Sequence, residues 1–150
     1  MKKHLILGLL LLLPQAAIAS SNTGETFAML IEPYEGIRQA LLHDTFDGVA
    51  EKAVKIRDVA KEHAGDDALL AKISDAAGQL AEASGLDDAR EAFYEISKLM
   101  VQYRSKAGAD DLPVVVYCSM AKKSWLRPEG EIGNPYYGQS MARCGEVVEK

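Results

Sequence analysis

Four times between Phe27 and Tyr103 the apolar residues recur at intervals of three and four, the spacing that lines one face of a helix. The first stripe, Phe27, Leu30, Ile31, Tyr34, Ile37 and Leu41, predicts a helix from about Thr26 to Leu42. Pro33 and Gly36 weaken it. An interior proline removes a backbone hydrogen bond and costs about 3 kcal/mol, so the regular part is expected to begin near Pro33. Asp44 or Thr45 then offers an N-cap oxygen to a second helix carrying Phe46, Val49, Ala50, Ala53, Ile56 and Ala60 and ending at Gly65. Asp66 and Asp67 put negative charge at the start of a third, whose stripe is Leu69, Leu70, Ile73, Ala76, Ala77 and Leu80, before Gly85. Asp87 and Asp88 lead into the fourth, with Ala89, Ala92, Phe93, Ile96, Leu99, Met100 and Tyr103 on one face and Lys98, Arg104 and Lys106 toward its end, where cations suit the helix dipole. Four such helices joined by short links bury their stripes against one another, which predicts an all-α domain built as an antiparallel four-helix bundle.

The pattern changes after Gly108. Leu112 to Tyr117 is β-branched and aromatic, as a strand is, and turn formers follow at Arg127-Pro128-Glu129-Gly130 and Gly133-Asn134-Pro135. The chain closes on Gly145-Glu146-Val147-Val148-Glu149. Antiparallel pairing of Val114–Tyr117 with Glu146–Glu149 would make Cys118 and Cys144 neighbours at the mouth of a long loop. A two-stranded ribbon is marginal in water, so this one is expected to lie against the bundle or to be cross-linked.

Where such a domain resides is suggested by the first residues. Lys2 and Lys3, the apolar run Leu5–Leu13, Pro14 and Ala17-Ile18-Ala19 follow the order of a secretory signal peptide, with cleavage expected after Ala19. The run is too short to span a bilayer, which takes roughly 20 residues, and no later stretch approaches that length. The expected organisation is a signal peptide over residues 1–19 and one helical domain over residues 20–150, in an oxidising, extracytoplasmic compartment. Without Lys2 and Lys3, 15 basic residues face 22 acidic ones, a formal charge of −7 that disfavours nucleic acid and anionic lipid and mildly favours cations.

The segment Tyr117–Gly145 holds both cysteines, two of the five methionines and the single tryptophan. Two readings of it stand side by side. Two cysteines in an exported domain commonly form one disulfide, and closing a loop of this length adds about 3–4 kcal/mol in the chain-entropy model. Alternatively, the C-x-M pair Cys118 and Met120 meets the M-x-x-C pair Met141 and Cys144, gathering soft thiolate and thioether donors that suit Cu(I) better than Zn(II). Lys122, Lys123 and Arg127 would oppose a cation if they crowded such a site. Trp125 is expected to bury its ring under the loop, and Asn134-Pro135-Tyr136-Tyr137-Gly138 to form a turn whose tyrosines pack on the helices. His43 and His63 fall near helix ends, at spacings that promise no general base for a cysteine nucleophile. With no C-x-x-C pair, no glycine-rich phosphate loop, no paired-carboxylate signature and no nucleophile elbow, the expectation is a binding or structural domain and not an enzyme.

"YCSMAKKSWLRPEGEIGNPYYGQSMARCGEV" resembles the signature of the DUF3347 domain family, which runs C-P-M, Trp-Leu, I-x-N-P-Y-[FY]-G and M-x-x-C-G in that order. "DDAREAFYEISKLM" is similar to that family's penultimate helix and "YEGIRQALLHDTFDGVAEKAVKI" to its opening helical pair. Ser119 stands where proline is usual. The resemblance implies a bacterial periplasmic domain of the kind found alone or attached to membrane-fusion adaptors of heavy-metal efflux pumps. It further implies a Cu(I) or Ag(I) site with Cys118, Met120, Met141 and Cys144 as ligands, and an efflux-pump adaptor or periplasmic copper protein as partner.

Overall fold

A computed structural model describes residues 16–108, 112–128 and 130–150, with side chains from Thr23 onward. Most of the expected signal peptide, residues 1–15, lies outside the described residues. Four helices come first, α1 (Ala16–Leu42), α2 (Val49–His63), α3 (Ala68–Ala81) and α4 (Leu86–Ala107). They are followed by strands β1 (Val114–Cys118) and β2 (Lys123–Arg127), a 3-10 turn (Gly138–Met141) and strand β3 (Glu146–Glu149). The molecule is thus mostly helical with a short sheet.

Helix α1 departs from expectation at its start. It is already helical at Ala16 and runs unbroken through Pro33. Leu30, Tyr34, Ile37 and Leu41 on this helix are all fully buried, and at about 1.5–3 kcal/mol apiece their burial outweighs the roughly 3 kcal/mol that one interior proline costs. Gly36 has a use here. A Cβ at this position would stand 2.6 Å from Lys52 Cε, so its absence lets the lysine stem of α2 lie against α1.

Helix α2 begins later than expected, at Val49, with Gly48 in a left-handed conformation as its N-cap. Neither proposed cap serves: the Thr45 hydroxyl accepts the Asp47 N–H in a local turn, and Asp44 is committed elsewhere. Helix α3 starts as read, with the Asp67 carboxylate accepting the Leu69 N–H at 2.9 Å. Helix α4 ends on Gly108, which takes a left-handed C-cap conformation. The helices contact one another in a ring, α1 with α2, α2 with α3, α3 with α4 and α4 with α1.

The sheet has the order β2-β1-β3, antiparallel throughout. The expected pairing is present, with Val115 opposite Glu149, Val116 opposite Val147 and Tyr117 opposite Glu146, and an irregularity between Val115 and Val116. Strand β2 was not expected and converts the ribbon into a three-stranded sheet. Its Trp125 and Leu126 are buried, and it packs on α4. Aromatic rings carry the core from the helices into the tail: Tyr34 stacks on Phe93 with centroids 4.8 Å apart, Phe93 meets Tyr136 at 6.2 Å, and Tyr136 meets Trp125 edge-on at 5.8 Å.

Three helix arginines hold the tail by its backbone. Arg38 of α1, almost fully buried, pairs with Glu35 at 2.6 Å and donates to the Gly133 carbonyl at 2.7 Å. Arg90 of α4 donates to the Pro135 carbonyl at 3.0 Å, the Leu41 carbonyl at 3.1 Å and Asp44 at 2.6 Å. Arg104, also buried, donates to the Pro113 carbonyl at 2.6 Å and pairs with Glu149 of β3. In the same way Tyr34 takes the Leu126 N–H of β2 at 3.1 Å while bonding Ser97 at 2.7 Å. Burial holds the Tyr34 hydroxyl far above its ordinary pKa, so it stays protonated.

Candidate functional site

Cys118 is the last residue of β1, and a turn over residues 119–122 follows, with Lys122 in a left-handed conformation. Cys144 comes from the other end of the tail, after the 3-10 turn, its N–H bonded to the Met141 carbonyl at 2.9 Å. The two cysteines form a disulfide with Cα atoms 5.7 Å apart. Cys118 is fully buried, and the Ala121 N–H donates to its Sγ at 3.5 Å. Cys144 is half-buried.

Asn134 positions the Cys144 side of the pair. Fully buried, it donates from Nδ2 to the Cys144 carbonyl at 2.9 Å and from its backbone N–H to the Ala142 carbonyl at 2.9 Å. Its Oδ1 accepts the N–H groups of Tyr136 at 2.8 Å and Tyr137 at 3.3 Å. One side chain therefore shapes the Asn-Pro-Tyr-Tyr-Gly turn and ties it to the cysteine ten residues on. Immediately beyond, a Cβ on Gly145 would meet Trp125 Cη2 at 2.8 Å and Val116 Cγ1 at 2.9 Å, so only glycine lets the chain press against the tryptophan before entering β3. Trp125 is fully buried, and its indole N–H finds no acceptor among the described residues.

Of the four sulfur residues singled out from sequence, the fold brings Cys118 and Cys144 together by bonding them to each other. Met120 sits on the β1–β2 turn with 62% of its surface exposed, and Met141 is half-buried at the end of the 3-10 turn. The basic residues that would repel a cation are partly engaged elsewhere. Lys123 pairs with Glu91 of α4 and lies over the Tyr94 and Tyr136 rings, 5.3 Å from each centroid, and Arg127 donates to the Gly130 carbonyl. Among the described residues no group of three or more His, Cys, Asp or Glu side chains converges as a metal site would require. His43 bonds the Gln39 carbonyl at 2.8 Å, and His63 is the last residue of α2.

A second set of contacts fixes the far end of the turn. Asp44 receives Arg90 on one oxygen at 2.6 Å and the Gln139 N–H on the other at 3.2 Å, and Gln139 Nε2 donates to the Leu42 carbonyl at 2.8 Å. Arg90, with the Gln139 N–H second, holds the Asp44 carboxyl below the usual carboxylate range. Sequence reasoning missed Asn134, Arg38 and Arg90 as organisers of the tail. The signal for Asn134 was its place ahead of Pro135, which marks an Asx turn without saying what the other end of the amide holds.

Compared with known proteins, the chain matches no family model, no curated protein and no solved structure. No described helix is long and apolar enough to cross a membrane.

Proposed function

We propose that this protein is a periplasmic domain, an antiparallel four-helix bundle with its tail folded over one end, that takes up Cu(I) or Ag(I) on the tail sulfurs when the Cys118–Cys144 bridge is reduced. One observation carries this reading: two cysteines 26 positions apart lie with Cα atoms 5.7 Å apart, and each is also engaged from outside the pair, Cys118 Sγ by the Ala121 N–H and the Cys144 carbonyl by Asn134 Nδ2. On reduction they become two thiols facing each other. A backbone N–H already directed at Cys118 Sγ favours its thiolate form, and thiolates in low coordination suit soft monovalent ions. Met120 and Met141 are the thioether donors, Met120 already exposed beside Cys118. The acidic balance of the chain favours cation approach. The kinship with the DUF3347 domain family, and a role beside a heavy-metal efflux adaptor, belong to the same proposal, which includes no catalytic activity.

The test is an anaerobic Cu(I) titration of the reduced protein against a competing chelator. About one equivalent is expected to bind, and Cys118→Ser or Met141→Leu should abolish or sharply weaken uptake. Should both variants bind as the parent does, the tail sulfurs are not ligands. The bond itself favours a second reading, a disulfide-stapled structural or protein-interaction domain that holds no ion. Under that reading the protein stays oxidised, the reduced chain takes up no Cu(I), and reduction unravels the tail.

A further inference from the structure

The two sulfurs of the Cys118–Cys144 bridge are chemically unequal. Cys118 is fully buried at the end of β1, whereas Cys144 is half-buried on the loop before β3 and follows the exposed Arg143. Thiol–disulfide exchange begins when a thiolate attacks one sulfur of a disulfide, and its rate depends on access to that sulfur and on how well the departing thiolate is stabilised. Access selects Cys144 as the sulfur attacked. Attack at Cys144 makes Cys118 the leaving sulfur; burial disfavours a thiolate there, and the Ala121 N–H at 3.5 Å from its Sγ offers the departing charge a donor that offsets part of this cost. The cationic Arg143 side chain, next in sequence to Cys144, favours approach of an anionic thiolate.

We propose that the Cys118–Cys144 bridge is a reversible exchange site for a protein dithiol, attacked at Cys144 with Cys118 as leaving group. The inference deepens the soft-ion reading, which requires the reduced pair, and it stands without any ion. In the first step a thiolate of the dithiol bonds to Cys144 Sγ as the Cys118–Cys144 bond breaks. The electron pair of that bond remains on Cys118, which then takes a proton from water. In the second step the reductant's other thiolate attacks its own partner sulfur in the mixed disulfide and expels the Cys144 thiolate, which is protonated in turn. Two electrons and two protons have passed to the pair, and the reductant departs as a disulfide.

Reversibility follows from what holds the pair apart from its bond. The Cys144 carbonyl is bonded to Asn134 Nδ2 at 2.9 Å and its N–H to the Met141 carbonyl at 2.9 Å. Asn134 adjoins Gly133, whose carbonyl is clamped by the buried Arg38 at 2.7 Å. On the other side, Tyr117 next to Cys118 remains opposite Glu146 in the sheet. None of these contacts is consumed by reduction, so the two thiols stay within reach of each other and of reoxidation.

Two measurements on the native, metal-free protein test this. Oxidised protein is mixed with reduced glutathione, quenched with acid, and the mixed disulfide mapped by proteolysis and mass spectrometry. At least about tenfold more adduct is expected on Cys144 than on Cys118. Equal labelling, labelling of Cys118, or no exchange short of denaturation overturns the proposal. The near-UV circular dichroism of the reduced protein is then recorded. A retained Trp125 signal is expected, and its collapse to that of the unfolded chain shows that the bond, and not the fold, holds the pair together. Because no metal enters either measurement, failed or unselective exchange leaves the Cu(I) titration to be judged separately, whereas collapse on reduction removes the held pair on which both readings rest.

Discussion

Asn134 shows how one side chain can organise a tail. Replacing it with alanine strands the Cys144 carbonyl and the Tyr136 N–H, each of which costs about 1–3 kcal/mol when left buried and unpaired. Asn134→Ala is therefore expected to lose about 3 kcal/mol of unfolding free energy, read from urea titration, and a loss below about 1 kcal/mol would show that the turn is held by other groups. Asp44 makes a prediction about pH. Its carboxyl is held below the usual range by Arg90 and the Gln139 N–H, so its contribution is present above the ordinary carboxylate pKa and is lost as pH falls through the lower, folded value. The thermal midpoint of the wild type should accordingly drop on acidification below about pH 4, and Asp44→Asn should lack that component of the drop. Parallel midpoint curves for the two proteins would count against the contact. Neither residue could be assigned these roles beforehand, since Asn134 read as a turn former and Asp44 as a helix cap.

At the scale of elements, the sequence was informative wherever a local rule met no competitor. Asp67 caps α3 with its carboxylate and Gly108 ends α4 by taking a left-handed conformation, needs that each helix meets from its own chain. The β1–β3 pairing was readable from two short β-branched runs. Two elements escaped. Helix α1 crosses Pro33 because tertiary burial along its stripe exceeds the local cost, a balance no single residue displays. Strand β2 offered only Trp125 and Leu126 between charged and polar neighbours, and its hairpin turn has Lys122, with no glycine or asparagine, at the left-handed position. The arginine clamps were hidden for a related reason. Arg38, Arg90 and Arg104 look like solvated helix positions until the tail supplies carbonyls for them to bind. That dependence can be tested at β3, an exposed strand whose Glu149 is tied to the helices by Arg104. Arg104→Ala should speed amide hydrogen exchange in β3 by about tenfold or more while leaving the β1–β2 ladder protected. Uniform acceleration across all three strands would mean that Arg104 supports the sheet as a whole.

Over the whole molecule the question is whether the tail is an appendage or part of the same cooperative unit. The aromatic path from Tyr34 through Phe93 and Tyr136 to Trp125 leaves no gap between helical core and tail core, and the arginines and Tyr34 add polar links across the same boundary. The sulfur pair closes this same tail, between β1 and the loop before β3, and the soft-ion proposal requires that its cysteines be held without their bond. Reduction removes a constraint on the unfolded chain worth about 3–4 kcal/mol for a loop of this length, yet it breaks no packed contact. The reduced protein is therefore expected to be less stable by about that amount and still to unfold in one transition. The single tryptophan makes the distinction measurable, because Trp125 reports on the tail while far-UV circular dichroism is dominated by the four helices. In urea the two signals from the reduced protein should share one midpoint. A tryptophan transition well ahead of the helical one would make the tail a separately melting unit, and the poised dithiol on which soft-ion uptake depends would not survive reduction.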